Sequence, residues 1–263
     1  MSEFKRGIEN QKFIEELNSN TDFQRMIADK DLFIAIRDEY LNVYYYGQSI
    51  SKISFAGNKI KWRTHKKYLG INESGYADTS SHLDDLENIK AIIAREYAGR
   101  EKKQVNAQIL KNEKLCILDV EVTFGREENS GKLSIDYLAV EKNENDKITL
   151  VFYEAKHFDN SEIRARDEPK VFNQIKKYGM ALNTHKIEII NSYKTICKNV
   201  FELNLNNRDK LHKLIGADIG QIEIDVEPRL IIFEIDQSKI KDTHIQKLEQ
   251  KYRQPRLILI ERK

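Results

Sequence analysis

The stretch KLSIDYLAVEKNENDKITLVFYEAKH, residues 132 to 157, decides how this chain is read. Its two flanks, KLSIDYLAVE (132–141) and ITLVFYEAKH (148–157), are apolar on both faces, as central strands of a sheet are. The polar run EKNENDK with its Asn-Asp pair separates them and reads as a hairpin connection. A hairpin centred on Asn145 sets position 136 opposite position 154. Asp136 and Glu154 then stand side by side, their β-carbons about 5 Å apart, where two carboxylates repel. Strand alternation puts Lys156 on the same face as Glu154.

Such a carboxylate pair calls for a cation, and a hard divalent ion, Mg²⁺ or Mn²⁺, prefers a few carboxylate oxygens, retained waters and phosphate oxygens. A metal that polarises a phosphate and acidifies water, beside an ammonium that steadies the nucleophile, is what phosphodiester hydrolysis needs. The Glu-x-Lys spacing alone says little, since it also begins at Glu3, Glu101, Glu168, Glu249 and Glu261. Only the one at Glu154 sits in a doubly apolar strand with an Asp across a hairpin. The competing reading is an ion pair at a strand end, which leaves three charges at core-facing positions without a purpose.

Outward from the hairpin, LCILDVEVTF (115–124) reads as a strand preceding it, and Ser81 with Asp84 resembles a capping box opening a helix that runs to about Asn112 across Gly99. Pro169 suits the first turn of a helix through about Leu182, and residues 187–215 read as helical. The end of the chain reads strand (229–236), helix (238–252), strand (256–261). Before all this come a short helix (9–18) and four strand-like runs between Leu32 and His65, punctuated by Gly47 and Gly57-Asn58; the polar stretch 70–81 reads as a linker. The expected organisation is a small N-terminal β-rich module (1–76) and an α/β domain (82–263).

This order of a helix, a three-strand meander with Asp in one strand and Glu-x-Lys in the next, then a helix, resembles the PD-(D/E)XK nuclease superfamily over residues 84 to 182. Ile135 stands where the nominal signature has Pro. Gln174 and Tyr178, in QIKKY, look like the QxxxY element of the RecB-like branch. The resemblance implies a restriction-endonuclease-like core of helix, meander, helix, strand, helix and strand. It also implies that Asp136, Glu154 and the carbonyl of Ala155 bind the metal, that Lys156 serves the attacking water, and that Gln174 and Tyr178 approach substrate. Restriction, repair and phage-defence enzymes predominate among such proteins. DNA is therefore the implied substrate and RNA is admitted; a second copy of the chain or a defence-complex partner is left open. The rival readings are a nuclease-fold protein that binds nucleic acid or a partner without cutting, and a hydrolase of small phosphoesters.

The superfamily adds an acidic residue from the helix. At 100° per residue Glu101 falls at the centre of an apolar stripe of Ile93, Ala94, Tyr97, Ala98, Val105 and Ile109, whereas Glu96 lies on the charged face. Glu101 is thus the expected ligand and Glu121 its rival, with Asp119 and Glu121 on one face of their strand. In KIKWRTHKK, Lys59, Lys61, Arg63 and His65 share one strand face and Trp62 takes the other, which offers a phosphate grip or simply a solvated face.

Composition constrains the rest. With 44 Lys plus Arg against 42 Asp plus Glu, nucleic-acid binding must come from local patches. Cys116 and Cys197 form no CxxC pair, so neither a cysteine zinc site nor a disulfide framework is suggested. The N-terminus lacks the apolar core of a signal peptide and no run is long enough to span a membrane, which fits a cytoplasmic protein.

Overall fold

The computed structural model of the chain describes residues 4–79, 85–111, 115–127, 131–143, 145, 147–164, 168–205, 207–215, 221–236, 243–252, 254 and 256–261. It is a mixed α/β arrangement built on two sheets. Among the described residues, no helix is long and apolar enough to cross a membrane.

Two short helices, α1 (Gln11–Ser19) and α2 (Thr21–Ala28), lead in. Asn10 and Asn20 cap them by accepting from the amides of Phe13 and Phe23. The second of these helices has no counterpart in the sequence reading. Strands β1 (Phe33–Ile36), β2 (Tyr40–Tyr45), β3 (Gln48–Ala56), β4 (Lys59–His65) and β5 (Tyr76–Asp78) form an antiparallel sheet in that order. Tyr46 and Gly47 (φ 47° and 68°), like Gly57 and Asn58 (φ 59° and 57°), take the two left-handed conformations of tight hairpin turns. The stretch read as a linker is a correction: β5 lies inside it and pairs with β4, Arg63 facing Asp78.

The second sheet contains β6 (Cys116–Glu127), β7 (Gly131–Lys142), β8 (Ile148–His157), β9 (Ile222–Ile224), β10 (Arg229–Ile235) and β11 (Leu257–Glu261). Its order is β11-β10-β8-β7-β6, with β9 also beside β8. The β6–β7–β8 meander is antiparallel; β10 runs parallel to β8 and to β11. Parallel neighbours need crossovers. Helices α5 (Lys170–Thr184), α6 (Lys186–Glu202) and α7 (Arg208–Ile215) supply one, and α8 (Thr243–Lys251) the other.

The helix expected across Gly99 is broken. Helix α3 (Leu86–Ile92) passes into a π turn (Ile93–Tyr97), Ala98 is extended, and α4 (Arg100–Lys111) starts afresh. The continuous stripe drawn from Ile93 to Ile109 therefore has no single axis. The capping box at Ser81 and Asp84 lies outside the described residues, as does the start of the helix expected from 238.

A buried carboxylate ties the two sheets together. Asp119 on β6 pairs with Arg37, just beyond β1, and with Arg6 at 2.9 Å, and accepts from the Tyr193 hydroxyl of α6 at 2.7 Å. Arg37 also donates to the carbonyl of Val120 at 2.7 Å. Removing one partner from such a cluster strands a charge in the interior.

Candidate active site

The β7–β8 ladder runs from Lys142↔Ile148 to Tyr137↔Tyr153, each pair symmetric about position 145, the register inferred from the sequence. It stops one step before Asp136 and Glu154. Beyond that point β8 continues against β10, with Tyr153 to His157 pairing with Arg229 to Phe233. Where the strands part, the Asp136 carboxylate replaces the backbone: its Oδ2 accepts the Ala155 amide at 2.7 Å. Asp136 and Glu154 are neighbours by charge rather than a laddered pair.

Glu154 is only 2% exposed. Its Oε1 receives Lys156 Nζ at 2.7 Å and Gln174 Nε2 at 2.8 Å. Its Oε2 is buried with no hydrogen-bond partner among the described residues. Burial pushes the Glu154 carboxyl up to about 7, against the downward pull of Lys156 and Tyr178. Asp136 is likewise held well above the ordinary carboxylate range, first by burial and then by Glu154. For Lys156 burial acts downward, but Glu154, Glu162 and Asp136 together outweigh it and keep the ammonium charged.

Helix α5 delivers Gln174 and Tyr178 from one face, as their i, i+4 spacing requires. The Gln174 amide also donates to the Tyr178 hydroxyl at 2.6 Å, which donates to the Ser134 carbonyl at 2.5 Å. This chain of bonds fastens α5 to β7 and aims Gln174 at Glu154.

Glu101 arrives by another route than the one expected. From the first turn of α4 its Oε2 accepts the His157 amide at 2.9 Å and the Asn160 side-chain amide at 2.8 Å, so it holds the exit of β8. It also lines a cavity of about 50 Å³ with Lys102, Asn106, Glu121 and Asp136, closed on one side by Phe33, Tyr44 and Gly47 of the first sheet. Glu96 is exposed and paired with Arg95.

The shared face expected for Asp119 and Glu121 is a second correction. The ladder slips between Ile117 and Asp119, and Glu121 takes φ 49°, so alternation fails here. Asp119 goes to the arginines. Glu121 falls between the pairs Val120↔Tyr137 and Val122↔Ile135, across from Asp136, with Lys102 Nζ 3.8 Å away.

Two further groups went unread in the sequence. Glu162 Oε2 lies 2.8 Å from Lys156 Nζ, and Asn160 accepts the Glu162 amide at 2.9 Å while donating to Glu101. Neither carries a sequence signal, because a loop brings them in. Lys59, Lys61 and Arg63 are exposed on β4, outside the carboxylate cluster, with Arg63 paired to Asp78 at 3.1 Å.

The donor set suits a hard cation. Glu154 presents a bare buried oxygen, and Asp136 is under-neutralised beside it. Among the described residues, no three His, Cys, Asp or Glu side chains converge closely enough to hold an ion by themselves. An ion here would complete its shell with water and phosphate oxygens, as Mg²⁺ commonly does.

No family model matches the chain, and no curated protein or solved structure matches it either.

Proposed function

We propose that the chain is a metal-dependent nuclease of the PD-(D/E)XK type, acting on the phosphodiester bonds of DNA. The observation that carries this reading is Glu154: a buried carboxylate with one free oxygen, under-neutralised Asp136 beside it, Lys156 in contact and Gln174 brought onto it by α5. On this reading the sheet is a restriction-endonuclease-like core, extended by the N-terminal module.

A bound Mg²⁺ or Mn²⁺ would be held by Asp136 and Glu154, and would polarise the phosphate and acidify a water. The protein's own groups do the rest. Lys156, kept charged by its carboxylates, orients the nucleophile and meets negative charge as it develops. Gln174 fixes the Glu154 oxygen that faces Lys156. Glu101 and Asn160 hold the end of β8, and so the Glu154 and Lys156 backbone, in place, and Glu101, which lines the cavity beside Asp136, would be the additional carboxylate near the ion.

Supercoiled plasmid, linear duplex and single strands, incubated with Mg²⁺, Mn²⁺, Ca²⁺ or EDTA, provide the test. Cleavage with Mg²⁺ or Mn²⁺, little turnover with Ca²⁺ and none with EDTA is expected, since the looser Ca²⁺ shell positions water badly. Full cleavage in EDTA, or none under any metal, would reject the reading.

A further inference from the structure

The outer face of the first sheet carries more than the basic strand. Cross-strand register sets Lys52 beside Arg63 and Ser54 beside Lys61, and Tyr76 on β5 beside His65. Lys52, Lys59, Lys61 and Arg63 thus share one face, while Trp62, Thr64 and Ile53 are buried behind it. Among the described residues, Lys59 and Lys61 have no ion-pair partner. Glu16 and Asp22 line the hollow beside them without closing on either. Lys52 lies over the Tyr40 ring at 3.7 Å. Tyr76 is 54% exposed, and its ring meets His65 edge-on at 5.2 Å.

This row continues toward the carboxylates. Following β4 the chain turns through Lys66–Leu69, and Lys67 lies over the rings of Tyr68 and Tyr97 at 4.6 and 4.7 Å. Gln48, next to Gly47, donates to the Tyr97 carbonyl at 3.4 Å and accepts from the Tyr68 hydroxyl at 2.8 Å, which brings Lys67 to the turn that Lys102 approaches. In keeping with this, burial and then Lys102 pull the Lys67 ammonium below its ordinary value. Lys102 Nζ is 3.5 Å from the Gly47 carbonyl and 3.8 Å from Glu121, inside the cavity that Asp136 and Glu101 line.

We infer that this face is a track for one nucleic-acid strand, running from Lys59 along β4 through Lys67 and Lys102 to the carboxylates. Lys59, Lys61 and Arg63, at every second residue of β4, repeat about every 6.7 Å over roughly 13 Å. A backbone-following basic row beside an exposed aromatic ring, here Tyr76, is the combination that binds single strands without reading sequence. Stacking on Tyr76 requires unpaired bases, so the occupant is a single strand. The cavity at the far end, about 50 Å³ beneath the Tyr46–Gly47 turn, has room for an ion and a water or two but not for a base pair. The end point of the track rests on the cleavage site proposed above; the track itself does not.

The test is fluorescence anisotropy of the full chain in EDTA, with labelled single-stranded DNA and RNA of about 15 nucleotides and the matching DNA duplex. Lys59→Ala with Lys61→Ala should weaken single-strand binding about tenfold and reduce the log–log salt slope by about 1.4, two phosphate contacts' worth. Lys67→Ala with Lys102→Ala should do the same. Tyr76→Ala should weaken binding about tenfold with the slope unchanged. Lys186→Ala with Lys198→Ala, equal in charge but on α6, should change little. The DNA and RNA arms decide which sugar is preferred. Single-strand binding that survives both lysine pairs, absence of binding by the wild type, or a tenfold preference for duplex would each overturn the track. Binding as described without cleavage in any metal would reject the nuclease reading alone.

Discussion

Asp119 on β6 and Glu154 on β8 are both buried carboxylates of one sheet, at 0% and 2% exposure, and their surroundings are opposite. Asp119 meets two arginines, a tyrosine hydroxyl and its neighbour's amide. Positive charge exceeds negative there, and the Arg37 pair ties β6 to the end of β1 in the other sheet. Around Glu154 the balance reverses. Asp136, Glu154, Glu162, Glu101 and Glu121 share Lys156 and Lys102, and one Glu154 oxygen is bare. A carboxylate that only braces a fold is neutralised by its own protein; on the reading proposed above, the excess charge at Glu154 would be met by a bound cation.

The largest expected effect breaks the second cluster. Asp136→Ala and Glu154→Ala should each lower cleavage by at least about 100-fold and abolish Mg²⁺-induced stabilisation. Lys156→Ala should cleave as poorly yet still be stabilised by Mg²⁺. Cleavage assays paired with melting curves separate the cases, and wild-type rates for the Asp136 and Glu154 variants would move the site elsewhere.

Asp119→Ala should instead act on the fold, costing about 3–5 kcal/mol by leaving Arg6 and Arg37 unpaired in the interior. Urea unfolding with and without Mg²⁺ should show that loss equally in both. A loss confined to the Mg²⁺ sample would place Asp119 in the metal site.

Protons sharpen the contrast. Because burial raises Glu154 from 4.5 to about 7, the folded metal-free protein holds that proton more tightly than the unfolded chain. The resulting stability is fully present below about pH 4.5 and is lost as pH rises through 7, about 3 kcal/mol in all. Unfolding free energies in EDTA from pH 4.5 to 8 should fall accordingly, and Glu154→Gln should flatten that decline. An equally steep decline in the variant would assign it to other groups, Asp136 first.

The last comparison distinguishes two glutamates of the segment before β6, and its control, Glu96, carries the smallest expected effect. Glu101→Gln should cripple cleavage without destabilising the metal-free fold, since a glutamine oxygen still accepts from His157 and Asn160. Glu96→Gln, on an exposed pair, should change stability by less than about 0.5 kcal/mol and leave cleavage intact. If Glu101→Gln cleaves normally and Glu121→Gln does not, β6 supplies the additional carboxylate.

Much of this was legible before any coordinates. Hairpin register depends only on where the polar break falls between two apolar runs, so the pairing about Asn145 and the strand shared by Glu154 and Lys156 follow from local pattern. The i, i+4 spacing of Gln174 and Tyr178 is equally local. What the pattern missed are breaks in periodicity: the π turn and extended Ala98 before α4, and the left-handed Glu121 that turns away from Asp119. Such breaks are set by what a segment packs against rather than by its own residue order. The same holds for contacts between distant parts of the chain: Arg37 with Asp119, Glu101 with His157, Glu162 with Lys156, and the turn at Gly47 beside Lys102. The sequence by itself determined that the two strands of the 132–157 hairpin pair and that Glu154 with Lys156, like Gln174 with Tyr178, share a face, because backbone geometry repeats every two or 3.6 residues. Only the tertiary structure decided which carboxylates are neutralised and which are left with excess negative charge, because that depends on charges the fold draws in from far along the chain.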